Sequence, residues 1–247
     1  MKKHIPNFIT CLNLLSGASS VLFLAYGFVD SALLCIFTAM IFDFSDGLAA
    51  KLLNARSDMG KELDSLADVI SFGMAPGALA HILIKNMLFG ENEIRLELLT
   101  TTETVLMFLP LLIPVSSALR LAKFNVDTGQ SLSFTGMPTP ANALFWTGLA
   151  YSRFHSPDLY TYLFGSVWIV AVSVIITSFL LISELPMFSF KIRSLSWKEN
   201  KERYTFLLII LCGILLFRGD AFVFIVPTYI LFSIISVIRK SVIDKQG

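Results

Sequence analysis

Charged residues are scarce in this chain. Only 15% of its 247 residues are charged, and 55% are hydrophobic, whereas soluble globular domains contain roughly 25% charged residues. Water is therefore not the main solvent of this protein. The formal net charge of +1 at pH 7 also gives no reason to expect a nucleic-acid partner.

Cysteine and histidine are also scarce. The three histidines are scattered along the chain, which argues against a histidine-based metal or nucleophilic site. The three cysteines all fall in apolar stretches, so neither a disulfide framework nor a cysteine metal cluster is indicated. They are Cys11, Cys35 and Cys212.

Long apolar runs are abundant, by contrast. A bilayer core about 30 Å thick requires roughly 20 apolar residues for each helical crossing, and runs of about this length recur throughout the sequence. The pattern predicts an all-α integral membrane protein, a helical bundle of about eight transmembrane helices. The predicted spans are approximately 8–28, 31–53, 61–88, 104–119, 140–154, 160–183, 204–217 and 221–238.

The distribution of basic residues predicts the orientation of this bundle. The first apolar run is long enough to span and lacks a cleavage-site pattern, so we interpret it as a retained helix. An even number of spans places both termini on one side, and the positive-inside rule makes that side cytoplasmic. Of 19 basic residues, 15 then face inward, and the four outer ones are Lys85, Arg95, Arg153 and Arg218. The predicted location is the inner (cytoplasmic) membrane.

Two inner loops interrupt the apolar pattern. The first, 125–140, is rich in Gly, Ser, Thr and Pro, and the second, 184–203, is basic. A basic cytoplasmic loop either sets the topology or binds anionic lipid head groups. The basic residues of the second loop are Lys191, Arg193, Lys198, Lys201 and Arg203.

Four aspartates lie where a membrane helix should be apolar. Asp43 and Asp46 are three residues apart, and Asp64 and Asp68 are four apart, so each pair lies on one face of its helix. Because a short turn over 54–59 joins the two helices, we expect them to be antiparallel neighbours with all four carboxylates around one small volume. Each such charge costs roughly 2.5–3.5 kcal/mol to insert, which favours a functional role.

Carboxylates packed this closely require a neutralising cation. Oxygen ligands without histidine or cysteine select Mg²⁺, Mn²⁺ or Ca²⁺. Gly47 and Gly60 lie one turn from Asp43 and Asp64 on the same faces, where they leave room for a bulky anion. Lys51 could donate hydrogen bonds to phosphate oxygens. Together these features predict a site for phosphoryl transfer.

The residues form the pattern D-x2-D-G-x2-A-K-x8-G-x3-D-x3-D, which resembles the signature of the CDP-alcohol phosphotransferase family. The usual signature has Arg at the position of Lys51, and lysine lacks the bidentate fork by which arginine grips phosphate. Within the family, the first 145 or so residues most resemble membrane-embedded bacterial phosphatidylserine synthases. The segments that carry this resemblance are 5–7, 64–73, 120–125 and 134–141.

The resemblance implies specific roles for these residues. Asp43, Asp46 and Asp64 would ligate metal, and Asp68 would complete a binuclear Mg²⁺ or Mn²⁺ site and act as the general base. The residues implied for CDP binding are Asn7, Asp46, Gly47, Ala50, Lys51 and Gly60.

The resemblance also implies the reaction and the domain organisation. The phosphatidyl group of CDP-diacylglycerol would pass to L-serine, yielding phosphatidylserine and CMP. The chain would be a single membrane domain, 1–247, with a six-helix catalytic core at 1–183 and a basic loop plus two additional helices at 184–247. The resemblance makes a homodimer an expectation as well.

Candidates for the acceptor end of the site follow the fourth span. Arg120 and Lys123 could pair with a phosphate or with the carboxylate of an amino acid, or they could be snorkelling anchors. Asn125 belongs to the same segment. Gly136 and Thr139 lie in a stiff loop that is interpreted either as an acceptor-binding lid or as a turn between helices.

Two alternatives to this function remain at the level of sequence. The same donor could serve another acceptor, such as glycerol 3-phosphate or inositol, because sister enzymes share the aspartates. A metal or proton transporter could use the acidic cluster as its transport site, and it would show flux without release of CMP.

Overall fold

A computed structural model describes residues 4–90, 92, 96–126, 136–185 and 197–243. All regular elements in these ranges are helical. A segment of π-helix, Val69–Met74, joins the α-helices Asp58–Asp68 and Ala75–Phe89. The helices are α1 (Ile5–Ala25), α2 (Val29–Leu52), α3 (Asp58–Asp68), α4 (Ala75–Phe89), α5 (Thr101–Phe108), α6 (Leu112–Val126), α7 (Thr139–His155), α8 (Pro157–Phe164), α9 (Val167–Ile182), α10 (Trp197–Phe217) and α11 (Ala221–Ile243).

Several helical stretches are long and apolar enough to cross a bilayer. There are five in the described part of the chain, or six if the bent pair α8 and α9 is one span. The all-helical, multi-pass fold is thereby confirmed, whereas the number of eight spans and the side of the termini remain predictions. The five stretches are Ile5–Ala25, Val29–Leu52, Asp58–Phe89, Thr101–Val126 and Tyr204–Ser233.

The span expected over 160–183 is not one straight helix. α8 and α9 meet at an angle of 74°, because the chain leaves helical geometry at Gly165 and Ser166, where Ser166 is extended with φ −115° and ψ 132°. Glycine and serine favour the helix less than the leucines and alanines of the neighbouring spans. The apolar composition of the run concealed this break.

α7 is the central helix of the bundle although it has only 17 residues, a length of about 26 Å. Ala143 and Ala150 belong to a buried cluster formed with α1, α2 and α4. Trp146 and Leu149 belong to a second cluster formed with α4, α9 and α11. Ten residues of α7 are buried, so its neighbours enclose it on several sides, and four of the ten are polar: Thr139, Asn142, Thr147 and Ser152.

α1 lies against α2, α3 and the π-helical segment. Close approach to the π-helical segment depends on Gly17, since a Cβ built on it would lie 2.5 Å from the Cα of Ser71. Backbone contact of this kind between helices is typical of small residues in membrane proteins. Gly17 therefore fixes the distance between α1 and the segment that follows Asp68.

We expect Gly17→Ala to lower the free energy of unfolding by roughly 1–3 kcal/mol, the usual effect of overpacking. The measurement is the melting temperature in detergent, which should fall. Gly213→Ala in α10 is the matched control, because the nearest atom to its added Cβ is 3.9 Å away. The control should leave the melting temperature unchanged or raise it, since alanine favours the helix over glycine. Equal melting temperatures for the two variants would contradict the close contact at Gly17.

Candidate active site

The turn between α2 and α3 brings two acidic helix faces together. Asn54 adopts a left-handed conformation with φ 49°, and the N–H of Ala55 donates to the carbonyl of Ala50 at 2.9 Å, which closes the end of α2. Ser57 caps α3 by accepting from the N–H of Gly60 at 3.1 Å. The expected short turn is thus observed, and α1 packs against both helices.

Three of the four aspartates form a compact cluster. Asp43, Asp64 and Asp68 each offer a carboxylate oxygen within 4.8 Å of the others. Oδ1 of Asp64 is buried, and no described residue donates a hydrogen bond to it. Oxygens this close, one of them lacking a donor, fit a hard divalent cation such as Mg²⁺ or Mn²⁺.

The fourth aspartate lies beside this cluster and is hydrogen-bonded to α1. Oδ2 of Asp46 lies 2.6 Å from Oγ1 of Thr10, which also lies 3.0 Å from the carbonyl of Pro6. The hydroxyl has one hydrogen, so it donates to one of these acceptors at a time. Asp46 is only 6% exposed and faces a neighbouring cavity.

Asn13 of α1 supports Asp68. Its Nδ2 lies 3.5 Å from Oδ1 of Asp68, and its backbone carbonyl accepts from Oγ of Ser71 at 3.0 Å. Thr10 and Asn13 were missed in the sequence. Their spacing from Asn7, three polar residues at intervals of three in an apolar helix, is the signal that could have identified this face.

A cavity of about 710 Å³ opens beside the carboxylates. Asn7, Gly47, Ala50 and Gly60, all expected at a CDP site, line it. Lys51 is exposed and is not among the lining residues, whereas two cations of the α2–α3 turn and α3 are. The lining residues are Pro6, Asn7, Thr10, Asp46, Gly47, Ala50, Ala55, Arg56, Ser57, Asp58, Gly60, Lys61, Asp64 and Phe124.

A smaller cavity of about 280 Å³ lies between α6 and the end of α9. Arg120 and Lys123 line it, and Phe124 lines both cavities. The guanidinium of Arg120 is within electrostatic reach of Asp68, and its Nε is buried without an acceptor among the described residues. A buried donor in this state needs an anionic or polar ligand.

Lys123 has a partner within the protein. Its Nζ donates to Oε1 of Glu184 at 2.6 Å, and both side chains are more than half exposed. This hydrogen bond and the positive charge hold the pKa of Glu184 below its ordinary value. This ion pair joins the end of α9 to α6, and Glu184 already neutralises the charge of Lys123.

Asn125 connects α6 to α3. Its Nδ2 donates to Oγ of Ser65 at 2.9 Å and lies 3.4 Å from Oε2 of Glu62. Its backbone carbonyl accepts from Nζ of Lys61 at 3.0 Å. These contacts place Asn125 beside the larger cavity, in a bridging position between two helices.

Gly136 and Thr139 lie at the entrance to α7. Gly136 has φ 73°, and its N–H donates to the carbonyl of Leu185 at 2.9 Å. A Cβ there would lie 2.8 Å from the carbonyl oxygens of Leu181 and Ser183, so glycine is required for packing. Thr139 is buried, and neither residue lines the two cavities described above.

Parts of the two inner loops lie outside the described residues. These are 127–135, within the stiff loop, and 186–196, which include Lys191 and Arg193. The other three basic residues of the second loop lie in the first two turns of α10, and only their backbone is described.

Comparison of the sequence with known proteins identifies the family of this chain. The family model for CDP-alcohol phosphatidyltransferase matches residues 3–179. The chain is 39% identical over 137 residues to a CDP-diacylglycerol–serine O-phosphatidyltransferase of Bacillus subtilis, covering 56% of this chain and 70% of the relative. It is 35% identical over 195 residues to the protein of that name from Mycobacterium leprae, covering 74% and 57%.

An archaeal relative has a related name. The archaetidylserine synthase of Methanothermobacter thermautotrophicus is 32% identical over 182 residues, which cover 70% of this chain and 67% of the relative. The chain thus spans about two thirds of the Bacillus and archaeal relatives but little more than half of the mycobacterial one. The family match covers well over half of the sequence, so the chain belongs to the CDP-alcohol phosphatidyltransferase family.

Proposed function

We propose that this protein transfers the phosphatidyl group of CDP-diacylglycerol to L-serine, which yields phosphatidylserine and CMP. The observation that carries the proposal is the cluster of Asp43, Asp64 and Asp68 at the edge of a polar cavity. The names of the relatives support serine as the acceptor.

The larger cavity is the proposed CDP site. Asn7 offers an amide, and Gly47 and Gly60 let a nucleotide approach the backbone of α2 and α3. Arg56 and Lys61 supply the positive charge near a pyrophosphate. Lys51, assigned to this role from the sequence, is exposed at the end of α2, so we propose that it contributes less than these two residues.

The proposed binuclear metal centre has Asp43, Asp46, Asp64 and Asp68 as its ligands. The bound ions, Mg²⁺ or Mn²⁺, would supply neutralisation of the pyrophosphate charge. Thr10 holds Asp46 at 2.6 Å, so α1 orients one ligand of the centre. Asn13 does the same for Asp68.

Asp68 is the proposed general base. It is 8% exposed, and Asn13 keeps one of its oxygens oriented. The serine hydroxyl oxygen forms a bond to the phosphorus that carries diacylglycerol, the bond from this phosphorus to CMP breaks, and the hydroxyl proton passes to Asp68. CMP leaves as a phosphate monoester.

The acceptor carboxylate is proposed to bind Arg120. Its buried Nε lacks an acceptor in the described part of the protein, and a carboxylate or phosphate would satisfy it in bidentate fashion. Inositol carries no charge, so this feature favours serine or glycerol 3-phosphate. Lys123, Asn125, Gly136 and Thr139 are proposed to shape this end of the site rather than to contact the acceptor.

The proposed location is the inner membrane with the site facing the cytoplasm. The site lies where α1 begins, α2 ends, α3 begins and α6 ends, and Lys51, Arg56, Lys61 and Lys123, all predicted to be cytoplasmic, lie at the same helix ends. CDP and serine would arrive from water while the acyl chains stay in lipid. Residues 1–183 are proposed as the catalytic core. A homodimer stays an expectation from the resemblance.

The test is an assay of the purified protein in detergent with CDP-diacylglycerol and Mg²⁺ or Mn²⁺. Serine, inositol and glycerol 3-phosphate are offered separately, and CMP and lipid products are measured by mass spectrometry. Serine-dependent CMP with phosphatidylserine supports the proposal. CMP with another acceptor refutes serine. If no acceptor leads to release of CMP and the protein carries metal ions across vesicle membranes, the transporter is indicated.

We expect Asp68→Asn to lower kcat by about 10²–10⁴-fold, the range for loss of a general base, while CDP-diacylglycerol binding stays near that of the wild type. Turnover and donor binding are measured on the same detergent preparation. Asp158→Asn, at an exposed position in the first turn of α8, is the control and should behave like the wild type. Turnover by Asp68→Asn at the wild-type rate would remove the base assignment.

Asp43→Asn should instead weaken metal and donor binding together. We expect the metal concentration for half-maximal activity to rise by at least the roughly 10- to 100-fold seen when outer-shell partners are removed. A titration of Mn²⁺ at several donor concentrations measures both effects, with Asp158→Asn again as the control. An unchanged metal titration would exclude Asp43 as a ligand.

Arg56 and Lys51 can be compared directly. We expect Arg56→Gln to raise KM for CDP-diacylglycerol about tenfold, because a charge-assisted hydrogen bond to phosphate is lost. Lys51→Gln should raise it less, since Lys51 is exposed and outside the cavity lining. A larger effect from Lys51→Gln would favour the assignment made from the sequence.

A further inference from the structure

A ring of three hydrogen bonds joins the end of α6 to α3. Nζ of Lys61 donates to the backbone carbonyl of Asn125 at 3.0 Å. Nδ2 of Asn125 donates to Oγ of Ser65 at 2.9 Å, and Oγ of Ser65 donates to the backbone carbonyl of Lys61 at 3.2 Å. Each donor in this ring has a proton to give and each acceptor has a lone pair to receive it, so the three bonds can exist together.

The ring satisfies a backbone group at a helix end. α6 ends at Val126, so the carbonyl of Asn125 lies in the last turn, where carbonyls lack a partner within the helix. A lysine ammonium suits such a carbonyl and the negative end of the helix dipole. Here the lysine comes from another helix, so the bond that completes the end of α6 also connects it to α3.

Arg120 lies between this ring and a second contact of α6. It precedes Asn125 by five residues, about 7.5 Å along a helix. Three residues before Arg120, Cβ of Ser117 lies 3.1 Å from a Cβ built on Gly73, in the π-helical segment that follows Asp68. The stretch of α6 that contains the arginine is therefore held on both sides by the helical segments that contain the proposed base.

The two contacts of α6 differ in kind. The contact at Ser117 is van der Waals packing, and its Oγ has no hydrogen-bond partner among the described residues. Hydrogen bonds are directional, so the ring restricts the rotation of α6 as well as its distance from α3. Rotation matters for Arg120, because a planar guanidinium binds a carboxylate in bidentate fashion only in a suitable orientation.

We propose that Ser65 and Asn125 are positioning residues that hold α6 against α3, so that Arg120 faces the carboxylate of the acceptor. The proposal rests on the proposed transfer to serine. Ser65 follows the proposed metal ligand Asp64 directly, yet it lines neither cavity. The proposal therefore gives it a role in acceptor binding that is separate from the metal centre.

Ser65→Ala tests the proposal because it removes one hydroxyl from the ring and no lining group from either cavity. We expect KM for serine to rise about threefold to tenfold, the effect of losing a hydrogen bond between neutral groups. KM for CDP-diacylglycerol, the metal concentration for half-maximal activity and the melting temperature should stay within twofold or a few degrees of the wild type. A lower melting temperature with unchanged KM for serine, or a shifted metal titration, would overturn the proposal.

Two further serine variants serve as controls. Ser65→Thr keeps the hydroxyl, so KM for serine should stay within twofold of the wild type. Ser173→Ala in α9 removes a hydroxyl that also donates to a carbonyl four residues earlier in its own helix, that of Ile169 at 2.8 Å, and none of its described hydrogen bonds reaches another helix. It should leave KM for serine unchanged. A rise equal to that of Ser65→Ala in either control would overturn the proposal.

Asn125→Ala opens the ring from the other helix. KM for serine should rise by a similar factor, and the double variant with Ser65→Ala should show no larger rise, because the ring is already open in each single variant. Multiplication of the two effects would show that the residues act independently and would overturn the proposal. Absence of serine turnover in the wild type would refute the proposed function as well, whereas wild-type turnover with unchanged KM for serine in both single variants would refute this inference alone.

Discussion

The crowding of four carboxylates inside one helical bundle, two of them buried and two half-buried, is the constraint on which the rest of this structure depends. Each charge inside a membrane helix costs roughly 2.5–3.5 kcal/mol on insertion scales, so the bundle must surround the acids with partners. α1 supplies the polar ones, through Thr10 on Asp46 and Asn13 on Asp68. The remaining charge calls for cations, and the buried, undonated oxygen of Asp64 is an appropriate ligand. The packing of α1 is therefore determined first by the aspartates that it contacts.

The π-helical segment after Asp68 adapts the backbone to this demand. Segments of this kind often occur at functional sites, because an extra residue in the turn changes the direction of the side chains that follow. Ser71 here donates to the carbonyl of Asn13, and a Cβ on Gly73 would lie 3.1 Å from Cβ of Ser117. One short stretch therefore contacts α1 on one side and α6 on the other. Asp68, the proposed general base, immediately precedes this segment, and α6, which contains Arg120, packs against it.

The sequence predicted what depends on local spacing and left out what depends on tertiary contact. Intervals of three and four residues on two helices joined by a short turn correctly grouped Asp43, Asp64 and Asp68. Spacing along α2 also led us to assign the phosphate-binding cation to Lys51. The position of Arg56 could not be predicted in this way, because it depends on the left-handed turn at Asn54. The bend at Gly165 was hidden by apolar composition. The hydrogen bond between Lys123 and Glu184, 61 residues apart, has no signal in a single sequence.

The two cavities would give the leaving and the entering group of a displacement at phosphorus separate places in the site. In such a displacement the entering and leaving oxygens lie roughly in line on opposite sides of the phosphorus. The larger cavity has room for the leaving nucleotide, the smaller one contains the donor group of Arg120, and Phe124 lines both. The apolar ring of Phe124 would separate two charged substrates and exclude water between them, which would favour attack by serine over hydrolysis.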